Sequence, residues 1–390
     1  MIRWVFFWLH LSIGIAVGVF IFLMAVTGVL LSFERQIVEF GDRDVRFVSG
    51  LQDAQPRQMN DLLQAMHRAG MEDPTAIILR SQPQAATQFS IGRTRTVYVD
   101  PYSGAVLGIS SESVRGFFMW VERLHRALGA PLGSRGIGRR LTGISNLLFC
   151  VLIPLGLILW LPRKWSWKTV RPSIGFRSRL RGKAREWNWH NVVGIWCCLP
   201  LLVIALTGVV MSYDWANALL FRLTGSTPAS GRDRSDRRQR GRQNGDGHDL
   251  NYDRLFTVAK GLNPNWRTIT LNIASKGNAR PTLVIDMGTE GQPQRRVQYL
   301  LNPNTGAIEK MSTFADGSLG QRLRSFVRFG HTGEYYGLIG QLIAALASLG
   351  ACALVYTGLS LSVRRLTATL KRKRQHVVSS DKTYAEQSTT

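Results

Sequence analysis

A four-helix membrane bundle carrying two small α+β units is the fold that the sequence predicts, and three observations predict it. Four long apolar stretches interrupt an otherwise polar chain of 390 residues. Basic residues crowd the short segments beside those stretches. The first half of the chain also reappears in the second half in fixed register.

A mean hydropathy near zero conceals the apolar stretches because the segments between them are polar. The first span runs from about Trp4 to Phe33, far beyond the ~7–15 residues of a signal-peptide core and without a small-residue cleavage site. It reads as a retained signal anchor. The second runs from about Leu141 to Leu161, the third from Trp189 to Tyr213 and the fourth from Leu338 to Val363. Each reaches the ~20 apolar residues that cross a hydrocarbon core.

Orientation follows from basic residues in short flanks. The link between spans two and three carries Arg163, Lys164, Lys168, Arg171, Arg177, Arg179, Arg181, Lys183 and Arg185. The chain leaves span four through Arg364, Arg365 and Lys371-Arg372-Lys373-Arg374. Both segments, and both termini, are therefore expected in the cytoplasm, with residues 34–136 and 214–335 outside. The Arg-rich stretch Arg232 to Arg242 does not reverse this, because long loops translocate largely regardless of charge. Trp160, Trp165 and Trp187 stand where a cytoplasmic aromatic belt would lie.

Spans one and three repeat at an offset of 180. His10-xxx-Gly14 and Ala25-Val26-Thr27-Gly28 return as His190-xxx-Gly194 and Ala205-Leu206-Thr207-Gly208. The outer segments and spans two and four repeat at an offset of 202: Asp100–Val106 with Asn302–Ile308, Gly138 with Gly340, and Gly156 with Gly358. A tandem duplication is the simplest source of such registers. In the first outer segment a helix is expected over Met59–Ala69, starting at Asn60 or Asp61. Strands follow at Ala76–Leu79, Gln88–Ile91, Thr96–Val99 and Ala105–Ile109. In the second, a helix over Tyr252–Lys260 precedes strands at Thr268–Ile273, Pro281–Ile285 and Gln298–Leu301. Residues 225–249, rich in Gly, Arg, Asp and Ser, read as a mobile insertion.

The formal net charge of +24 suits either a nucleic-acid binder or a membrane protein with basic flanks. Its position beside apolar spans favours the second, and no nucleic-acid partner is expected. The four cysteines, Cys150, Cys197, Cys198 and Cys352, all lie in apolar stretches outside any CxxC or CxxCH arrangement. That spacing argues against a zinc site, a disulfide framework and covalently attached haem.

Four of the seven histidines stand where packing does not explain them. His10 and His190 lie at matching points just inside spans one and three. His125 precedes span two and His331 precedes span four. With the expected orientation, each half contributes one histidine to the cytoplasmic level and one to the outer level. An ionisable group at membrane depth is costly and marks function. Two opposed imidazoles give a six-coordinate b-type haem suited to electron transfer, so two non-covalent haem b groups are expected. His10 and His190 would hold one iron, and His125 and His331 the other. The plainer reading is interfacial histidines bonded to backbone or lipid headgroups. Zinc or copper could use the same nitrogens, although two histidines per level without Cys, Asp or Glu make a poor zinc site. A glycine four residues on, at Gly14, Gly194 and Gly129, would leave room for a flat macrocycle on the same helix face; His331 has Tyr335 there. Arg126, Arg139 and Arg140 are candidates to pair haem propionates, with interfacial snorkelling as the plainer reading. His67, His248 and His376 read as solvated.

No GxGxxG follows a strand, and Gly133-Ser134-Arg135-Gly136-Ile137-Gly138 has the wrong spacing. Electrons would have to come from a partner, either a cytoplasmic flavin reductase or a membrane quinol.

The chain resembles the PepSY-associated transmembrane proteins of Gram-negative inner membranes over roughly residues 1–365. The resemblance rests on His10-xxx-Gly14 with Val26-Thr27-Gly28, on Asp100–Val106 and Asn302–Ile308, and on the Leu124-His125-Arg126 and Phe329-Gly330-His331 flanks. Asn302 replaces the more usual Asp. Within that family the sequence resembles FoxB-like siderophore reductases. This likeness implies two b-type haems on the same four histidines, and reduction of ferric siderophore at the periplasmic face to release iron.

It also implies an organisation in order: transmembrane helix 1 (1–36), a periplasmic PepSY-like domain (37–112), and an interfacial helix with transmembrane helix 2 (113–163). A basic cytoplasmic loop (164–186), transmembrane helix 3 (187–215) and a second PepSY-like domain (216–320) follow. An interfacial segment with transmembrane helix 4 (321–365) and a cytoplasmic tail (366–390) complete it. Two other functions fit the same pattern. One is a non-enzymatic PepSY protein that restrains a periplasmic protease or scaffolds a transporter. The other, haem or metal translocation, wants a continuous polar path, and the mid-membrane stretches offer few ionisable groups.

Overall fold

A computed structural model describes residues 2–48, 55–92, 95–131, 136–162, 164–227, 251–273, 281–302 and 305–387. Residues Arg232 to Arg242, His248 and Gly133-Ser134-Arg135 lie outside the described residues, as does nearly all of the 225–249 insertion. In chain order the elements are α1 (Ile2–Ser32), α2 (Glu34–Gly41), α3 (Arg43–Arg46), α4 (Met59–Arg68), β1 (Ala76–Arg80), β2 (Thr87–Ile91), β3 (Arg95–Val99) and β4 (Val106–Ile109). Then come α5 (Glu112–Ala127), α6 (Ile137–Trp160), α7 (Trp167–Ile174), α8 (Gly182–Ser212), α9 (Asp214–Leu223) and α10 (Tyr252–Leu262). The chain finishes with β5 (Thr268–Asn272), β6 (Thr282–Asp286), β7 (Arg296–Leu301), β8 (Ile308–Thr313), α11 (Leu319–His331) and α12 (Gly337–Gln387).

The chain divides into two compact units. One comprises Met1–Leu30, Val121–Ser212 and Leu342–Thr390; the other comprises Leu31–Trp120 and Tyr213–Gln341. The first holds the membrane helices. Among the described residues, four stretches are long and apolar enough to cross a bilayer: Ile2–Ser32, Ile137–Trp160, Gly182–Ser212 and Glu334–Thr369. All four match the expected spans, each beginning two to seven residues earlier than expected because the polar flanks are helical too. Lipid supplies no hydrophobic drive between helices, so close approach depends on small residues. Ala25, Ala347 and Ala351 are buried together with Leu201, and a Cβ added at Gly350 would run into Cys197 Sγ. A neighbouring cluster joins Val17, Ile21 and Leu152. At the end of this unit Glu186, buried in α8, accepts two bonds from Arg364 at 2.9 and 3.0 Å and one from Ser360 at 2.9 Å.

The second unit is built on one antiparallel sheet of eight strands in the order β4-β3-β2-β1-β5-β6-β7-β8. The sequence reads as two separate α+β units, whereas the two sets of four strands join edge to edge. Ala76 to Arg80 of β1 pairs with Asn272 to Thr268 of β5. Joining them hides two strand edges that would otherwise expose unpaired backbone groups. The strand order reads alike from either side, and the register shifts at Tyr98/Val99 and at Leu300/Leu301 stand 202 residues apart. Apolar side chains of α4 and α10, including Leu62, Met66, Leu255 and Phe256, cover one face over Ile77, Phe89, Ile269, Leu271 and Ile285.

Helix α4 begins at Met59, the expected first residue, with Gln58 rather than Asn60 or Asp61 at its cap. No side chain caps it; Met59 N–H instead donates to Asp253 at 2.5 Å. The sequence reading omitted α2, α3, α7, α9 and β8, and gave α11 only as an interfacial segment. Beneath β3, Asp42 is buried and accepts from Tyr98 Oη (2.9 Å), Ser111 N (2.7 Å) and Arg115 Nη2 (2.7 Å). Arg80 bridges the two sets of strands by pairing with Glu290 at 2.9 Å and Glu39 at 3.4 Å.

Candidate functional site

His10 and His190 meet. Each lies eight residues into its helix, α1 and α8, about 12 Å from the helix start at ~1.5 Å per residue. Their ring centroids are 6.3 Å apart and their planes are perpendicular. Two metal–nitrogen bonds of about 2 Å, with a ring nitrogen roughly 1 Å from each centroid, place two imidazoles about 6 Å apart across one metal ion. The observed separation matches that requirement. His10 Nδ1 is buried and makes no side-chain hydrogen bond among the described residues; the Leu152 backbone lies beside the ring. His190 Nδ1 lies 2.9 Å from Thr357 Oγ1.

Glycines back both rings. A Cβ at Gly156 would come within 3.2 Å of His10 Cε1, and one at Gly358 within 3.4 Å of His190 Cε1. The sequence repeat contains both glycines, but only the structure assigns them to the histidines. Gly14 and Gly194 lie on the helices as expected; a Cβ at Gly14 would meet nothing within 4 Å, and one at Gly194 only Leu354 Cδ2 at 3.7 Å.

His125, two residues from the end of α5, sits at the far end of α1. Its Nδ1 is 2.9 Å from Thr27 Oγ1, and a Cβ at Gly28 would lie 3.7 Å from its Cε1. Thr27 follows His10 by 17 residues on one unbroken helix, which separates the two histidine levels by about 25 Å. His10 and His125 thus lie toward opposite ends of α1. His331 is the last residue of α11, before Gly333 at φ 80°.

One expectation is corrected. Gly129 is not one turn beyond His125 on a shared helix face, because α5 ends at Ala127. Gly129 adopts φ +88°, next to Leu128 at φ 51°, a left-handed turn that glycine enters without steric cost. The chain reverses here so closely that a Cβ at Gly138 would run into the Ala127 carbonyl, and one at Gly340 into the Gly333 carbonyl. These contacts explain why glycine recurs at both positions.

The cationic candidates differ. Arg126 already pairs with Glu122 one turn back at 2.6 Å, so an anionic ligand would compete with a carboxylate for it. Arg139 and Arg140 are exposed in the first turn of α6, where the helix dipole adds to their positive charge.

Among the described residues, no group of three or more His, Cys, Asp or Glu side chains gathers as a metal site. Two facing imidazoles suit a metal whose remaining ligands come from a macrocycle. The donor set fits a haem.

Residues 7–365 match the family described as PepSY-associated TM region. The chain belongs to that family. As a PepSY-associated membrane protein it pairs four membrane helices with an eight-stranded sheet. No curated protein matches it.

Proposed function

We propose that the chain is a di-haem b oxidoreductase of the bacterial inner membrane that passes electrons across the bilayer to reduce ferric siderophore at the periplasmic face. His10 and His190 hold the iron of the cytoplasmic-side haem, and His125 and His331 hold that of the periplasmic-side haem. The two halves arose by tandem duplication, both termini are cytoplasmic, and the sheet unit is periplasmic. The facing of His10 and His190 at 6.3 Å carries the reading. The ~25 Å along α1 from His10 to the residue that binds His125 supports a second level.

Bound haem supplies one-electron chemistry at each level. The chain's residues would do the rest. The histidines hold iron through imidazole nitrogen, and Gly156, Gly358 and Gly28 keep side-chain bulk away from those rings. Buried alanines and Gly350 close the helices together and exclude water between the levels. Arg139 and Arg140 offer charge to propionates. One electron delivered to siderophore-bound iron converts Fe(III), which hard oxygen ligands hold tightly, to Fe(II), which they hold weakly. The siderophore rests on the likeness to FoxB-like reductases. The electron donor is a cytoplasmic flavin reductase or a membrane quinol.

Purified protein in vesicles, loaded inside with a reductant and given a ferric hydroxamate outside, tests the function. Fe(II) trapped outside by a ferrous chelator, and lost in His10→Ala, is the expected result. A haem-replete protein that reduces no external ferric complex would leave the non-enzymatic PepSY reading in its place.

A further inference from the structure

Two threonines carry the inference. Thr27 and Thr357 are buried, at 3% and 2% exposure. Each places its hydroxyl 2.9 Å from Nδ1 of a histidine on another helix: Thr27 with His125, and Thr357 with His190. Each hydroxyl also contacts the carbonyl four residues back on its own helix, Leu23 for Thr27 and Ala353 for Thr357, at 2.7 Å in both cases. A hydroxyl has one proton and two lone pairs. The carbonyl only accepts, so it takes that proton at the shorter distance. The threonine oxygen must then accept from the imidazole, which fixes the proton on Nδ1 and leaves Nε2 as the donor nitrogen.

We propose that Thr27 and Thr357 are positioning residues that lock His125 and His190 in the Nδ1–H tautomer and orient each ring for ligation through Nε2. The inference rests on the di-haem reading. Metal-bound histidines generally give their second ring N–H to an acceptor, which fixes orientation and raises ligand basicity. The arrangement also makes the His10–His190 pair unequal. The position matching Thr357 in the first half is Leu155, which has no hydroxyl, and His10 has the Leu152 backbone beside its ring instead. One imidazole of the pair has a hydroxyl partner and the other does not.

Full-length Thr357→Val and Thr357→Ser test it beside wild type, using haem per chain, redox titration and the low-spin signal of the oxidised protein in electron paramagnetic resonance. Valine keeps the shape and removes the acceptor, so one haem should titrate at a more positive potential, with an altered signal and several-fold faster loss to a haem scavenger. Serine keeps the acceptor and should behave as wild type. A haem-replete wild type with Thr357→Val indistinguishable from it overturns the inference alone, as does Thr357→Ser behaving like valine. A colourless wild type removes the di-haem reading and this inference together. If Thr357→Val fails to accumulate, Thr27→Val and Thr27→Ser ask the same question at His125, with the same outcomes.

Discussion

The glycines behind the His10–His190 pair allow a graded test. A Cβ at Gly156 would stand 3.2 Å from His10 Cε1, and one at Gly358 would stand 3.4 Å from His190 Cε1. The first is tighter than ordinary van der Waals contact by a few tenths of an ångström, whereas the second is at its edge. Alanine at 358 should therefore leave the centre intact, and alanine at 156 should push the His10 ring slightly and alter the spectrum. Leucine at either position extends the side chain by a further ~2.5 Å, so the ring must shift by more than an ångström. That is half or more of a metal–nitrogen bond of about 2 Å, and overpacking in a close-packed interior has no void to relax into. Haem per chain should fall from about two to about one in Gly156→Leu and Gly358→Leu. The assay is haem quantitation on purified protein, with a reduced-minus-oxidised spectrum to identify the surviving centre. Full haem content and an unchanged spectrum in both leucine variants would refute the placement of these glycines against ligand histidines.

Two further outcomes concern the sheet unit. Asp42→Ala leaves Tyr98, Ser111 and Arg115 without their shared acceptor. Leaving those donors unsatisfied costs about 1–3 kcal/mol, and thermal unfolding of the detergent-solubilised protein should record the loss; an unchanged midpoint counts against it. Burial and the nearby Asp42 carboxylate push the Tyr98 hydroxyl well above its ordinary value. The folded state therefore keeps this proton where the unfolded chain releases it. The stability tied to this group is intact below about pH 10 and declines as pH rises beyond it. Tyr98→Phe should lower stability at neutral pH and flatten its alkaline decline, and parallel pH–stability curves for the two proteins would contradict the assignment.

The membrane helices and most strands were legible because their signals are local. Twenty apolar residues can do little but span a bilayer, and the alternation in Thr96–Val99 requires only period-two reading. The omitted elements lack such signals. Helices α1 and α2 are separated only by Phe33 at φ −118°, ψ 16°, and α8 and α9 only by Tyr213 at φ −121°, ψ 125°. No glycine or proline marks either break. Strand β8 is largely exposed along one sheet edge, so its residues Glu309, Lys310 and Ser312 resemble a loop. The pairing of β1 with β5 joins segments nearly 200 residues apart and is visible only in three dimensions. At the site, the repeat matches His10 with His190, and their ring centroids lie 6.3 Å apart. Thr27 and Gly28 were visible as part of the repeat, but a repeat does not say which histidine a threonine touches. The reading of Gly129 failed because it assumed that α5 continued past Ala127.

The account stands or falls on whether this chain carries iron porphyrin at two levels. Haem quantitation and reduced-minus-oxidised spectra of wild type, His190→Ala and His125→Ala measure that directly. The account predicts two b-type haems per wild-type chain, with each substitution removing a different one and sparing the other. A colourless wild type, or two single variants that retain both haems, would contradict it.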